Sequence, residues 1–132
     1  MRRVTICTIV AVSAVGVGGA VTHASAAPDR AGADAAATTL KLKAAASGAL
    51  RFNKSTLRAS AGSVTIKLKN PSSSGNRHAL EVEGKGVEEE TRTIGPGKRT
   101  SLSVRLSKGR YEFYCPVDGH KAAGMKGTLI VS

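Results

Sequence analysis

From Thr39 to the C-terminus the hydrophobic residues of this chain recur at every second position, in short runs cut off by turn residues. Leu40 and Leu42 alternate with Lys41 and Lys43, and Val64, Ile66 and Leu68 with Thr65, Lys67 and Lys69. Leu80 and Val82 alternate with Glu81 and Glu83, Leu102, Val104 and Leu106 with Ser101, Ser103 and Arg105, and Tyr111 and Phe113 with Glu112 and Tyr114. The segment 128-TLIVS-132 ends in a short continuous apolar run. A period of two places the apolar residues on one face of a strand, whereas an amphipathic helix needs a period near 3.6. Turn signals separate the runs at 60-SAG-62, 70-NPSSSGN-76, 84-GKG-86, 95-GPGK-98 and 107-SKG-109. Short alternating strands at this spacing predict an all-β fold, an antiparallel sandwich or barrel. Its core is modest, with four aromatic residues and no tryptophan. A bound metal would add stability that so small a core does not supply alone.

The chain before this region reads differently. Met1-Arg2-Arg3 opens a small, apolar stretch to Val21, and 24-ASAA-27 follows. A basic start, an apolar middle and an Ala-x-Ala end form a secretory signal peptide over residues 1–26, cut after Ala26. Residues 27–38 are Ala-rich and lack periodic hydrophobics, as a flexible tail would, and 39–132 form the folded domain. The mature protein is expected outside the cytoplasm, in a periplasm or at the cell surface. Cleavage removes Arg2 and Arg3 and no acidic residue, so the net charge of +11 becomes +9. Such a charge favours acidic proteins and anionic surfaces. Nucleic acid is not expected, since the chain is exported and has no helix, finger or aromatic platform motif for it.

Cleavage also makes certain residues rare. The mature chain keeps one cysteine (Cys115), two histidines (His78 and His120) and one methionine (Met125). Three of these four fall in 115-CPVDGHKAAGMKG-127, as Cys115-x4-His120-x4-Met125. A single thiol makes no intrachain disulfide, and in an oxidising compartment it needs protection or use. Taken alone, Cys115 reads as a buried inert thiol, His120 as a surface or core histidine and Met125 as packing. Strand phase brings them together. His78 is in step with Leu80 and Val82, Cys115 with Tyr111 and Phe113, and Asn70 with Val64, Ile66 and Leu68, so all three face inward. With strand directions alternating, His78, Cys115 and the loop carrying His120 and Met125 meet at one pole. The turn 95-GPGK-98 lies there too.

Two imidazoles, a thiolate and a thioether are the donor set of the blue-copper electron-transfer site, a trigonal His2Cys arrangement with a weak axial Met. Zinc ranks below copper, because a thioether is a poor ligand for it. A Cys115–His120 nucleophile pair ranks lower still. Asp118 is the only nearby acid and is more simply a turn residue.

The segment 109-GRYEFYCPVDGHKAAGMKGTLIV-131 resembles the C-terminal ligand loop of cupredoxins, the small blue copper proteins of the plastocyanin, azurin and auracyanin type. The stretch 64-VTIKLKN-70 followed by 78-HALEVEG-84 is similar to the family's first-histidine region. The resemblance covers about residues 39–132. It implies an eight-stranded or nearly eight-stranded Greek-key sandwich, one type 1 copper ion, and single-electron transfer rather than enzymatic turnover. His78, Cys115 and His120 would be the equatorial ligands and Met125 the axial one. It also implies that His120 presents a ring edge to solvent through a collar of Pro116, Val117, Gly119, Ala122, Ala123, Gly124 and Pro96. Arg77, Lys98, Arg99, Lys121 and Lys126 would ring that collar and steer acidic redox partners to a monomeric carrier. One departure stands out. Ala79 and Pro116 occupy the positions where many cupredoxins carry an Asn and a Ser or Thr that hydrogen-bond to each other. A copper-binding protein that buffers or delivers the ion is the second reading. The buried single thiolate argues for a carrier, since delivery needs accessible Met-rich or Cys-rich sites.

Overall fold

The computed structural model describes residues 37–132. The expected signal peptide and most of the Ala-rich tail lie outside the described residues. Eight strands form: β1 (Thr38–Lys43), β2 (Thr56–Ala59), β3 (Gly62–Lys69), β4 (Glu81–Gly84), β5 (Val87–Glu90), β6 (Arg99–Leu106), β7 (Gly109–Tyr114) and β8 (Lys126–Val131). A single 3-10 turn, Ser72–Ser74, interrupts the link from β3 to β4. The strands make two sheets, one ordered β1-β3-β6 and the other β2-β8-β7-β4-β5. No helix among the described residues is long and apolar enough to cross a membrane.

The pairing is not wholly antiparallel. β1 runs parallel to β3, and β2 parallel to β8, while the other four pairs are antiparallel. The cause is a crossover. After β1 the chain leaves its sheet, runs as β2 in the other, and returns as β3 beside β1. Parallel neighbours require such an excursion, and alternation along a strand does not disclose it. β2 itself is a strand that the sequence did not single out, although its alternation of Leu57 and Ala59 with Thr56 and Arg58 matches its burial.

Alternating residues fill the space between the sheets. Leu42, Val64, Ile66 and Leu68 come from one sheet, and Leu57, Val82, Phe113 and Leu129 from the other. Phe113 is completely buried and its ring centroid lies 5.7 Å from that of Phe52. Gly127 lets β8 pass this ring. A Cβ at Gly127 would collide with the Phe113 ring and with the Ser55 carbonyl. The top of this core, where β3 and β7 end and where β4, β6 and β8 begin, is the pole that holds the rare residues.

Candidate metal centre

His78 lies just before β4, and its backbone is fixed by two hydrogen bonds to Ile94. His78 N–H donates to the Ile94 carbonyl at 3.0 Å, and Ile94 N–H donates back at 2.8 Å. Asn70 braces this pair. It is fully buried and its Nδ2 donates to the carbonyls of Asn76 (2.8 Å) and Ile94 (3.2 Å), while Ser74 Oγ donates to its Oδ1. Its backbone takes part as well, because Asn70 N–H donates to Lys98 and Gly97 N–H donates to Asn70. The inward Asn thus ties together the end of β3, the turn before His78 and the 95–98 turn. Every polar group of its side chain is used, as burial demands.

Cys115 follows β7 and is fully buried. The loop after it folds tightly on itself. His120 N–H donates to Val117, Met125 N–H donates to His120, and Cys115 N–H donates to Met125. Two glycines with positive φ, Gly119 at 78° and Gly124 at 100°, make these reversals, in a backbone region that residues with a Cβ enter at a cost. The outcome is that Met125 is brought back beside Cys115 and is completely buried.

Three donor atoms meet as a result. Cys115 Sγ stands 3.4 Å from His120 Nδ1 and 3.9 Å from His78 Nδ1. The potential ligand atoms of the three residues all lie within 4.8 Å of one another. The two imidazole centroids are 5.1 Å apart. His78 is wholly buried and His120 half-buried, so one ring is sealed in the protein and the other reaches toward solvent. Ala79 N–H points at the sulfur, 3.5 Å away. That bond survives in a chain without the side-chain link between the two ligand segments, since it needs only the backbone of Ala79.

Burial lowers the His78 pKa, and the neighbouring His120 lowers it further, which keeps the ring neutral and its lone pair free. Burial pushes the Cys115 thiol up, against the amides of Ala79 and Val117. A cation would reverse that balance, because it binds the thiolate and expels the proton. His78 Nε2 is the one buried side-chain polar atom among the described residues that lacks a hydrogen-bond partner. With Nδ1 turned to the sulfur, the ring spends its hydrogen-bonding capacity on that side. Two imidazole nitrogens around a lone buried thiol suit a soft, nitrogen-tolerant cation and fit a type 1 copper ion. The Cys115 thiol is free of any disulfide.

Two further groups at this pole carry no clear signal in the sequence. Ile94 acts through its backbone alone. Lys121 lies 3.5 Å above the Tyr114 ring and forms ion pairs with Glu112 (3.1 Å) and Glu83 (3.6 Å). The Tyr114 hydroxyl donates to Glu81 at 2.6 Å, which pushes the phenol pKa above its ordinary value. Arg77, Lys98, Arg99 and Lys126 are exposed, whereas Lys121 is half-buried and engaged. The collar is small and open, with Pro96, Gly119, Ala122, Ala123 and Gly124 exposed and Pro116 and Val117 half-buried.

A family model described as the cupredoxin-like domain matches residues 11–131. Among solved structures, auracyanin B is similar with a TM-score of 0.65 and 25% identity, over 74% of this chain and 89% of that one. Auracyanin A, described as a "blue" copper protein from the green thermophilic photosynthetic bacterium Chloroflexus aurantiacus, matches at TM-score 0.60 and 23% identity, over 73% of this chain and 99% of that one. Rusticyanin from Thiobacillus ferrooxidans matches at 0.57 and 22%, over 73% and 77%. No curated protein matches the sequence.

Proposed function

The chain belongs to the cupredoxin-like family, and from that premise we propose that it is an exported carrier of single electrons, holding one type 1 copper ion through His78, Cys115, His120 and Met125. The observation that carries the proposal is the convergence of His78 Nδ1, Cys115 Sγ and His120 Nδ1 within 4.8 Å at one end of a rigid sandwich. Similarity in fold to auracyanins A and B supports it.

Bound copper supplies a one-electron couple between Cu(I) and Cu(II). The protein's part is to keep the ligands in place through the change. His78 is locked by Ile94 and Asn70, Cys115 by its pairing with Met125, and His120 by the turn that begins at Val117. Sealing His78, Cys115 and Met125 from solvent excludes water as a further ligand. The half-buried His120 ring lies among small residues, which lets a partner approach closely over a small, short-lived interface. Arg77, Lys98, Arg99 and Lys126 favour a partner that is acidic where it docks, with association that slows as salt rises. Cys115 is wholly buried and so is closed to a substrate, and we infer a carrier working as a monomer and not an enzyme.

Voltammetry of the copper-loaded protein tests this. A reversible one-electron wave, with copper retained through repeated cycles in the presence of a Cu(I) chelator, is the expected result. Loss of copper to the chelator on reduction would favour buffering or delivery instead.

A further inference from the structure

The outer face of the β1-β3-β6 sheet carries a set of positive charges that no acidic residue pairs with among the described residues. Register puts Lys41 opposite Lys67, and Lys43 opposite Lys69, which in turn faces Arg99. All five are exposed. No aspartate or glutamate occurs in β1, β3 or β6. The ion pairs among the described residues both join Lys121, in the loop before β8, to glutamates of the other sheet. Like charges directly opposite on neighbouring strands destabilise a sheet, so this grid calls for a counter-charge from outside. The cations repeat at about 4.8 Å across the strands and about 6.6 Å along them. They line an open groove of about 600 Å³ that Asn53, Lys54 and Ser101 help to enclose.

We propose that this groove binds a linear chain of phosphate groups, a polyphosphate or a base-free phosphodiester polymer. The inference is independent of the redox reading. Three observations choose this occupant. Ammonium groups outnumber guanidinium in the groove, and lysine serves phosphate as a point charge, whereas planar carboxylates draw on the arginine fork. No aromatic side chain lines the groove, so nucleobases would have nothing to stack on. The surface is concave, which seats a chain better than the plane of a bilayer. A second copy of the protein is a poorer fit. On the opposite sheet Glu81, Glu83 and Glu112 are engaged by Tyr114 and Lys121 within the same molecule, and the exposed Glu88, Glu89 and Glu90 of the edge strand β5 are consecutive residues that point to alternate faces, so they form no row to match the grid.

Calorimetric titration of the copper-loaded protein with inorganic polyphosphate at several salt concentrations is the test. It compares the triple variant Lys43→Gln/Lys69→Gln/Arg99→Gln with Arg58→Gln/Arg92→Gln/Arg110→Gln, which removes the same charge outside the groove. The expected result is binding that falls steeply with salt. The groove variant loses on the order of tenfold or more in affinity and about one unit of log–log salt slope per cation removed, and the control keeps most of its binding. Equal loss in both variants would overturn the proposal. So would tighter binding to oligothymidylate of matched charge, tighter binding to phosphatidylglycerol vesicles, or self-association that the groove variant abolishes. Both sets of substitutions are at exposed positions, and an unchanged melting temperature confirms that each variant is folded.

Discussion

Asn70 and His78 share an acceptor. The Ile94 carbonyl takes the Asn70 side-chain amide at 3.2 Å and the His78 backbone N–H at 3.0 Å. The inner histidine is therefore held by a hydrogen-bond network that begins 8 residues earlier in the sequence, at the end of β3. Asn70→Ala would remove two donors and one acceptor and leave the carbonyl of Asn76 and the hydroxyl of Ser74 only their long 3.4 Å contact with each other. Unsatisfied buried groups of this kind cost about 1–3 kcal/mol. Guanidinium unfolding of the metal-free protein should show that loss for Asn70→Ala and a smaller one for Ser74→Ala.

Gly127 makes a second, sharper prediction. Any Cβ there meets the Phe113 ring and the Ser55 carbonyl, in the strand directly after the ligand loop. Gly127→Ala should destabilise the fold by about 1–3 kcal/mol, as over-packing does. Gly95→Ala, where a Cβ meets nothing within 4 Å, should be close to neutral. Thermal unfolding of the two variants side by side checks this.

Copper should stabilise the fold by mass action, because its ligands come from two separate parts of the chain, His78 and the 115–125 loop, that meet only in the folded state. A ligand at a thousandfold excess over its Kd adds about 4 kcal/mol. Addition of copper should raise the melting temperature of the wild type clearly and that of His78→Ala little. An equal rise in both would show that the metal binds elsewhere.

Lys121 should matter less to docking than its position suggests. It is committed to Glu112, Glu83 and the face of Tyr114. Lys121→Gln should change stability by less than about 1 kcal/mol, as expected of partly exposed pairs, and leave the salt dependence of partner association largely intact. Arg77→Gln/Lys98→Gln should weaken that dependence in stopped-flow measurements with an acidic partner.

Much of this architecture can be read from the sequence because strand phase is a local property. The period of two that carries Leu80 and Val82 inward also carries His78, and the one that carries Tyr111 and Phe113 carries Cys115; both His78 and Cys115 are fully buried. Direction alternates along the chain whichever strands pair, so the meeting of His78, Cys115 and His120 at one pole was legible too. Pairing was not. The parallel neighbours β1–β3 and β2–β8 result from a crossover between sheets, and β2 is only four residues long with alanine as one of its two core positions. The neutralised Lys121 was hidden for a similar reason. Its partners Glu83 and Glu112 stand side by side only through the register of β4 and β7. The cationic grid of the other sheet arises in the same way, from lysines that alternate within each strand and align only once the strands are paired.

The whole electron-carrier assignment turns on Cys115 as a copper thiolate ligand. Visible absorption and EPR spectra of the protein after addition of Cu(II), with Cys115→Ser alongside, decide the point. An intense blue thiolate-to-copper band with narrow copper hyperfine splitting, bleached reversibly by reductant and absent from Cys115→Ser, is the predicted result. A colourless protein that takes up zinc or only Cu(I), or a blue band that persists in Cys115→Ser, would contradict it.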